Sequence, residues 1–400
     1  MRLKRQKTTI SSLLGKSFIV VLGKVFNALL TVVGSAFLAR LLSPGDLTGF
    51  TITFSLVSLL AVVAQGGLNQ SIIRFVGEAL AEGDRSLARA TVLATLKACL
   101  VGSVLISILL YFFYQIPAVN IFFQNRNVIA LGAAVYLWII FLTLHRIVTE
   151  ILRSYNDISG SVFFSGLGQF GGVLSGVIFI FVVILVFLLD YQINVGQIVM
   201  ILASSSALVA LLGFLAARRF FPEISQPARP RYKKIFWTSL PLLGTNILFG
   251  LEAQIGIWLA AIYLAPSEAA LFITASRVML LISFSILVIN AVTPPLIVSL
   301  NAKKKLKELE KNLRAFTTLF FLGTLIMTAL LLFFAEHVMG LLFGPFYSSA
   351  ANLMRILVFG AFINVMVGSC GLVLMLTGQE KKMLRISLFA LLLKLVFVSN

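Results

Sequence analysis

Charge is what this 400-residue chain has least of: aspartate and glutamate total 14, and all charged residues together make 12%. A soluble domain carries about 25%, so charged side chains this sparse cannot coat a water-exposed surface of such a length. Cysteine is nearly absent too. Cys99 and Cys370 each sit in an apolar run, which excludes a disulfide framework. The two histidines, His145 and His337, lack metal-ligand spacing. His145 beside Arg146 reads as an interfacial pair near a helix end. No Ser/His/Asp set, phosphate loop or carboxylate pair in a plausible pocket appears, so neither enzymatic chemistry nor a cofactor is expected. Short alternating strands are missing as well, which excludes a transmembrane barrel.

What is present is apolar length. Hydrophobic residues make 60% of the chain, and a spanning helix needs roughly 20 mainly apolar residues. Such runs fall near 17–41, 48–72, 90–114, 128–151, 161–188, 197–217, 235–263, 270–298, 315–335 and 354–377, with another starting near 384. The expected fold class is an all-α polytopic membrane protein. The formal net charge of +18 suggests nucleic acid until the charges are placed. Counting loops alternately puts 25 of the 32 basic residues on one side and two, Arg40 and Arg126, on the other. Basic loops stay in the cytoplasm, so the N-terminus is expected inside, with attraction to anionic lipid heads and no nucleic-acid partner. The first apolar run is too long for a cleaved leader and contains Lys24.

The chain punctuates itself twice. "ARLLSPGDLTGF" at 39–50 and "AIYLAPSEAALF" at 261–272 each close an apolar run with a proline, an acid two residues on and a phenylalanine four further, 222 residues apart. At that offset "GDRSLARA" at 83–90 falls on "KKLKELEK" at 304–311, and "LLYFF" at 109–113 on "LLFFA" at 331–335. With a small slip, "IFFQ" at 121–124 falls on "LLFG" at 341–344, and "RSYNDISG" at 153–160 on "LTGQEKKM" at 376–383. Six helices per set is an even number, so both sets enter the membrane in one orientation, a transporter architecture. The expected organisation is an N-terminal six-helix lobe over 1–217, a basic cytoplasmic linker over 218–234 and a C-terminal lobe over 235–400. By this count the second lobe is incomplete, stopping within its fifth helix.

Polar residues within the spans form stripes. Lys24, Asn27, Thr31 and Ser35 share one face of the first helix, and Thr51, Ser55, Ser58, Gln65 and Asn69 one face of the second. The seventh carries Thr238, Thr245 and Glu252 with Pro241 able to kink it, and Asn246 and Gln254 nearby; the eighth carries Arg277, Asn290 and a Pro294–Pro295 break. Polar atoms facing lipid are costly, so these stripes face helices or water. Hydroxyls alone read as helix–helix glue; Lys24, Gln65 and Asn69 point instead to a wet cavity. Lys24 lies about 12 Å along its helix from Lys16, and Arg277 about 13–14 Å from Glu268. Each would cost roughly 2.5–3.5 kcal/mol in hydrocarbon. An Arg277–Glu252 ion pair is one way to meet that cost. Lys97, Arg355 and Lys394 read as snorkelling side chains. Five basic residues within spans against one acid, Glu252, favour anionic cargo. In "SGLGQFGGVLSG" at 165–176, the glycines read as close packing of a fifth helix rather than a hinge.

"ARLLSPGDLTGF" followed by "GGLNQSIIRFVGEALAEGD" at 66–84 resembles the first two helices of the bacterial polysaccharide and O-antigen flippases, within the multidrug/oligosaccharidyl-lipid/polysaccharide (MOP) superfamily. The resemblance implies two pseudo-symmetric, MATE-like lobes around a lumen, alternating access, and residence in the cytoplasmic (inner) membrane. The implied cargo is an undecaprenyl-diphosphate-linked oligosaccharide, with a polysaccharide polymerase and assembly proteins as possible partners. It also implies that cationic residues at the places of Lys24 and Arg277 hold the diphosphate, in a lumen that Asn27, Thr31, Ser55, Ser58, Gln65, Asn69 and Glu252 would line. A multidrug cation antiporter and a peptidoglycan-precursor flippase are the alternatives.

Overall fold

The structure is a computed structural model that describes residues 2–114, 132–165, 169–221, 229–377 and scattered positions from 379 to 393. Arg126, Lys381, Lys394 and the 222–228 part of the linker lie outside the described residues. The described residues are helical: α1 (Arg2–Leu41), α2 (Pro44–Ala64), α3 (Leu68–Ala81), α4 (Arg85–Tyr114), α5 (Gly132–Ser154), α6 (Ile158–Phe163), α7 (Val173–Leu188) and α8 (Val195–Ala217) come first. Then follow α9 (Tyr232–Tyr263), α10 (Pro266–Val292), α11 (Pro294–Ala302), α12 (Leu306–Phe333), α13 (Ala335–Phe343), α14 (Ala351–Val367) and α15 (Cys370–Leu376). Among them nine stretches are long and apolar enough to cross a membrane; α7, at 16 residues, is a shorter apolar helix.

The two proline corners are helix starts, as their chemistry requires. Proline tolerates the first helical turn because its missing N–H needs no partner there. At the first corner the Asp46 amide donates to Ser43 Oγ at 3.1 Å, capping α2. At the second, the Ala265 amide donates to Glu268 Oε2 at 3.3 Å, so the acid does the work of the missing serine. The corners also touch: Thr48 Oγ1 donates to the Pro266 carbonyl at 2.8 Å.

Three expected helices are broken. The second ends at Ala64, turns through Gly66 and Gly67, both at positive φ, and restarts as α3, which runs to Ala81. The fifth does not run from 161 to 188: α6 ends at Phe163 and α7 starts at Val173, with Gly171 and Gly172 at positive φ between them. The tenth stops at Val367, where Gly368 takes φ 74°, and resumes as α15. The break expected at Pro294–Pro295 is present, between α10 and α11.

By its contacts the chain forms two compact units, one of residues 37–270 and one of 1–36 with 271–400. In the first, α5 is the hub and packs on α2, α3, α4 and α8. Its Trp138, Ile139, Ile147, Ile151 and Leu152 are essentially fully buried. Just past the end of α5, Tyr155 stacks on Phe220 at 5.1 Å; burial pushes its phenol up to about 12, while the Arg89 charge pulls the other way. In the second unit α12 packs on α14, and α13 packs on α14 and the short 3-10 turn Pro345–Ala350.

Candidate functional site

In the unit of residues 37–270, α9 runs antiparallel along α2 and α3, and polar side chains stitch the seam. Lys234 Nζ sits 3.3 Å from Glu78 Oε2, and Ser239 Oγ lies 2.8 Å from Ser71 Oγ. Asn246 Nδ2 donates to Asn69 Oδ1 at 3.0 Å, and Gln70 Nε2 donates to Asn246 Oδ1 at 3.1 Å. Further along, Trp258 Nε1 donates to Ser55 Oγ at 2.6 Å. As numbers rise on α9 they fall on its partners, which is why polar positions at compatible spacing on both strands of sequence meet one another.

A second polar centre lies behind this seam. Arg146 reaches from α5 to α2, donating from Nη1 to the Ser58 carbonyl at 3.0 Å and from Nη2 to Ser58 Oγ at 2.7 Å. Arg146 is 9% exposed and His145 fully buried. Both lie within the Gly132–Ser154 span, at least eight residues before its end, and both are buried by protein. The expectation placed this helix's end at 151, and the observed helix runs on to Ser154. A signal was available: Thr143, Arg146, Glu150 and Arg153 follow i, i+3, i+7, i+10, one face of a helix.

The sequence-selected residues fare differently. Ser55 is fully buried, and its hydroxyl donates to the Ile52 carbonyl while accepting from Trp258. Ser58 serves Arg146, and Asn69 serves Asn246. Gln65 is 3% exposed, with Nε2 lacking a hydrogen-bond partner among the described residues. Glu252 is half-buried on α9. Within one unit the structure therefore pairs Ser55 with Trp258, Ser58 with Arg146 and Asn69 with Asn246. In the other unit, Thr31 Oγ1 donates back to the Asn27 carbonyl at 2.9 Å, and Lys24 is exposed on α1. Arg277, on α10, has Nε and Nη2 both buried without a hydrogen-bond partner among the described residues. Among the described residues no group of three His, Cys, Asp or Glu could hold a metal ion.

The fold is known from solved structures. A MATE family multidrug resistance transporter of the MOP superfamily, in an inward-facing conformation, superposes with a TM-score of 0.70 at 16% identity, over 93% of this chain and 87% of that one. A point mutant of the Vibrio cholerae MATE transporter VcmN gives 0.62 at 17% identity, over 95% and 87%. An outward-facing MATE family transporter gives 0.56 at 19% identity, over 92% and 85%. No curated protein matches the sequence. Residues 13–301 match the polysaccharide biosynthesis protein family. With MATE-like helices over most of its length and that family's pattern over more than half of it, this multi-pass membrane chain belongs to the polysaccharide biosynthesis protein family.

Proposed function

We propose that the protein is a flippase that carries a polyprenyl-diphosphate-linked oligosaccharide from the cytoplasmic to the outer leaflet of the inner membrane, by alternating access, for surface polysaccharide assembly. In this reading the N-terminus is cytoplasmic, and two lobes, 1–217 and 235–400, joined by the basic linker 218–234, enclose a polar path. Lys24 and Arg277 grip the diphosphate. Asn27, Thr31, Gln65, Asn69 and Glu252 receive sugar hydroxyls, while Ser55 and Ser58 brace the wall. Stripping a diphosphate of water without replacement is prohibitive; a net-cationic path substitutes for that hydration, and the polyprenyl tail stays in lipid.

The observation that carries this reading is Arg277. Its guanidinium lies within the Pro266–Asn290 span, with two buried nitrogens unpartnered among the described residues. A fork-shaped cation of that kind suits a phosphate. Excess cations within spans disfavour the antiporter reading, since an organic cation calls for uncompensated carboxylates.

The test is glycan display in cells lacking the chromosomal gene, complemented with Lys24→Ala or Arg277→Ala and with membrane levels matched by immunoblot. Each substitution is expected to cut display by about tenfold or more, as loss of a charge-assisted contact would. Arg277→Lys, which keeps the charge and loses the fork, should fall between. Undiminished display with both alanine variants would remove the grip.

A further inference from the structure

The stretch "NAKKKLKELEKNLR" at 301–314 leads into α12 and has so far no role. Residues 303–314 hold six cations and two acids, Glu308 and Glu310. The acids are engaged by Lys305 at 2.9 Å and Arg314 at 2.6 Å. Lys303, Lys304, Lys307 and Lys311 are exposed, and none has a carboxylate within ion-pair distance among the described residues. The opposite face of the same helical turns is apolar: Leu306, Leu309 and Leu313 recur at i, i+3, i+7.

That face, with the Glu310–Arg314 pair beside it, forms one wall of a groove of about 780 Å³, within the unit of residues 1–36 and 271–400. Met366 and Val367 at the end of α14 and Cys370, Val373 and Leu374 of α15 line it as well. Leu309 of that wall also belongs to a buried cluster with Ile297 and Leu300, against which Leu313 and Val373 of the groove pack. Between α14 and α15 the chain turns at Gly368, where an added Cβ would lie 3.0 Å from Oγ1 of Thr317, a residue of the groove. Its volume is in the range of about 300–1,000 Å³ typical of sites that enclose an organic ligand. Its wall from Leu306 to Thr317 follows about 16 Å of helix.

We infer that this groove is a binding site for an anionic phospholipid of the surrounding bilayer, one acyl chain lying along the Leu306–Leu313 wall and the phosphate among the lysines of 303–311. A free phosphate would leave the apolar walls bare. A zwitterionic lipid would bring its own cation to a strip already in positive excess. An anionic lipid satisfies both halves, and juxtamembrane lysine clusters attract such lipids. The site is separate from the proposed glycan path and stands or falls without it.

The 400-residue chain is reconstituted in phosphatidylcholine nanodiscs with a trace of acyl-diazirine phosphatidylglycerol or, in parallel, acyl-diazirine phosphatidylcholine; photolabelled peptides are then mapped. With the phosphatidylglycerol probe, labelling of 306–318 and 366–374 should exceed that of the lipid-exposed stretch 319–330 by about fivefold or more, the effect expected of even one well-placed lysine. The phosphatidylcholine probe should show no such enrichment, and excess unlabelled phosphatidylglycerol should erase it. Converting Lys303, Lys304, Lys307 and Lys311 to glutamine should abolish the preference at unchanged folding, since all four are exposed. Equal enrichment by both probes, no enrichment by either, or full preference in the glutamine variant would overturn the inference.

Discussion

Two arginines inside the spans show opposite solutions to one problem. A guanidinium at membrane depth costs roughly 2.5–3.5 kcal/mol on an insertion scale, so it either finds protein acceptors or waits for another anion. Arg146 takes the first course, clamping the Ser58 carbonyl and hydroxyl with two nitrogens. Arg277 leaves two nitrogens buried without a partner among the described residues. The difference makes Arg146 a brace between α5 and α2. Arg146→Lys keeps the charge but cannot span both acceptors, and Ser58→Ala removes one acceptor. In a double-mutant cycle read by thermal unfolding in detergent, their coupling should fall near the 0.6–1.7 kcal/mol known for such bonds within membranes, about the upper half of it. Additive effects would mean that the clamp contributes nothing. Arg277 was legible from depth counting, because nine residues of helix separate it from Glu268. Arg146 was not, because it was read with His145 as an interfacial pair near a helix end rather than as part of the polar face that Thr143, Glu150 and Arg153 share with it.

At the scale of elements, helix starts and the Pro294–Pro295 break were legible, and the breaks at glycine were not. Ser43, Pro44 and Asp46 announce α2 chemically, whereas Gly66 and Gly67 lie in a polar-flanked apolar run that hydropathy reads straight through. Tertiary contact decides the turn. An added Cβ at Gly67 would lie 2.1 Å from the Ser239 carbonyl oxygen and 2.7 Å from the Leu243 amide nitrogen, both on α9. With φ at 75°, a left-handed residue also carries a steric cost for any Cβ. Gly67→Ala should therefore push α3 off α9 and stretch the Ser71–Ser239 and Asn69–Asn246 bonds together. The expected result is loss of the monodisperse peak in fluorescence-detected gel filtration, beyond the ~0.5–3 kcal/mol of ordinary substitutions. Gly66, also left-handed but with nothing within 4 Å of an added Cβ, provides the control: asparagine tolerates that conformation, and Gly66→Asn should elute normally. Equal behaviour of the two variants would show that the contact with α9 does not set the turn.

For the whole molecule, the repeat survives in helix boundaries better than in letters. α1 and α9 end at Leu41 and Tyr263, and α2 and α10 start at Pro44 and Pro266, both pairs 222 residues apart. The ends of the fourth and tenth helices keep the offset too: α5 ends at Ser154, and α15, which resumes the tenth helix past its break, ends at Leu376, again 222 residues apart. The caps after α3 and α11 repeat as well. Gly83 and Asp84 donate to the Leu80 and Ala79 carbonyls, and Lys304 and Lys305 to those of Asn301 and Leu300, with Gly83 and Lys304 both at positive φ. That pair of bonds is the Schellman closure of a helix, written with glycine once and with lysine the second time. Two corners with one geometry should share one side of the membrane if an even number of crossings separates them. In a background with Cys99 and Cys370 replaced by alanine, single cysteines at Gly83 and Lys304 should both react with an impermeant maleimide only in inverted vesicles. Cysteines at Ser43 and Ala265 should react only in right-side-out cells. Reaction of positions 83 and 304 from opposite faces would require an odd number of crossings between them; the second set of helices would then enter inverted, and the shared orientation of the two halves would be lost.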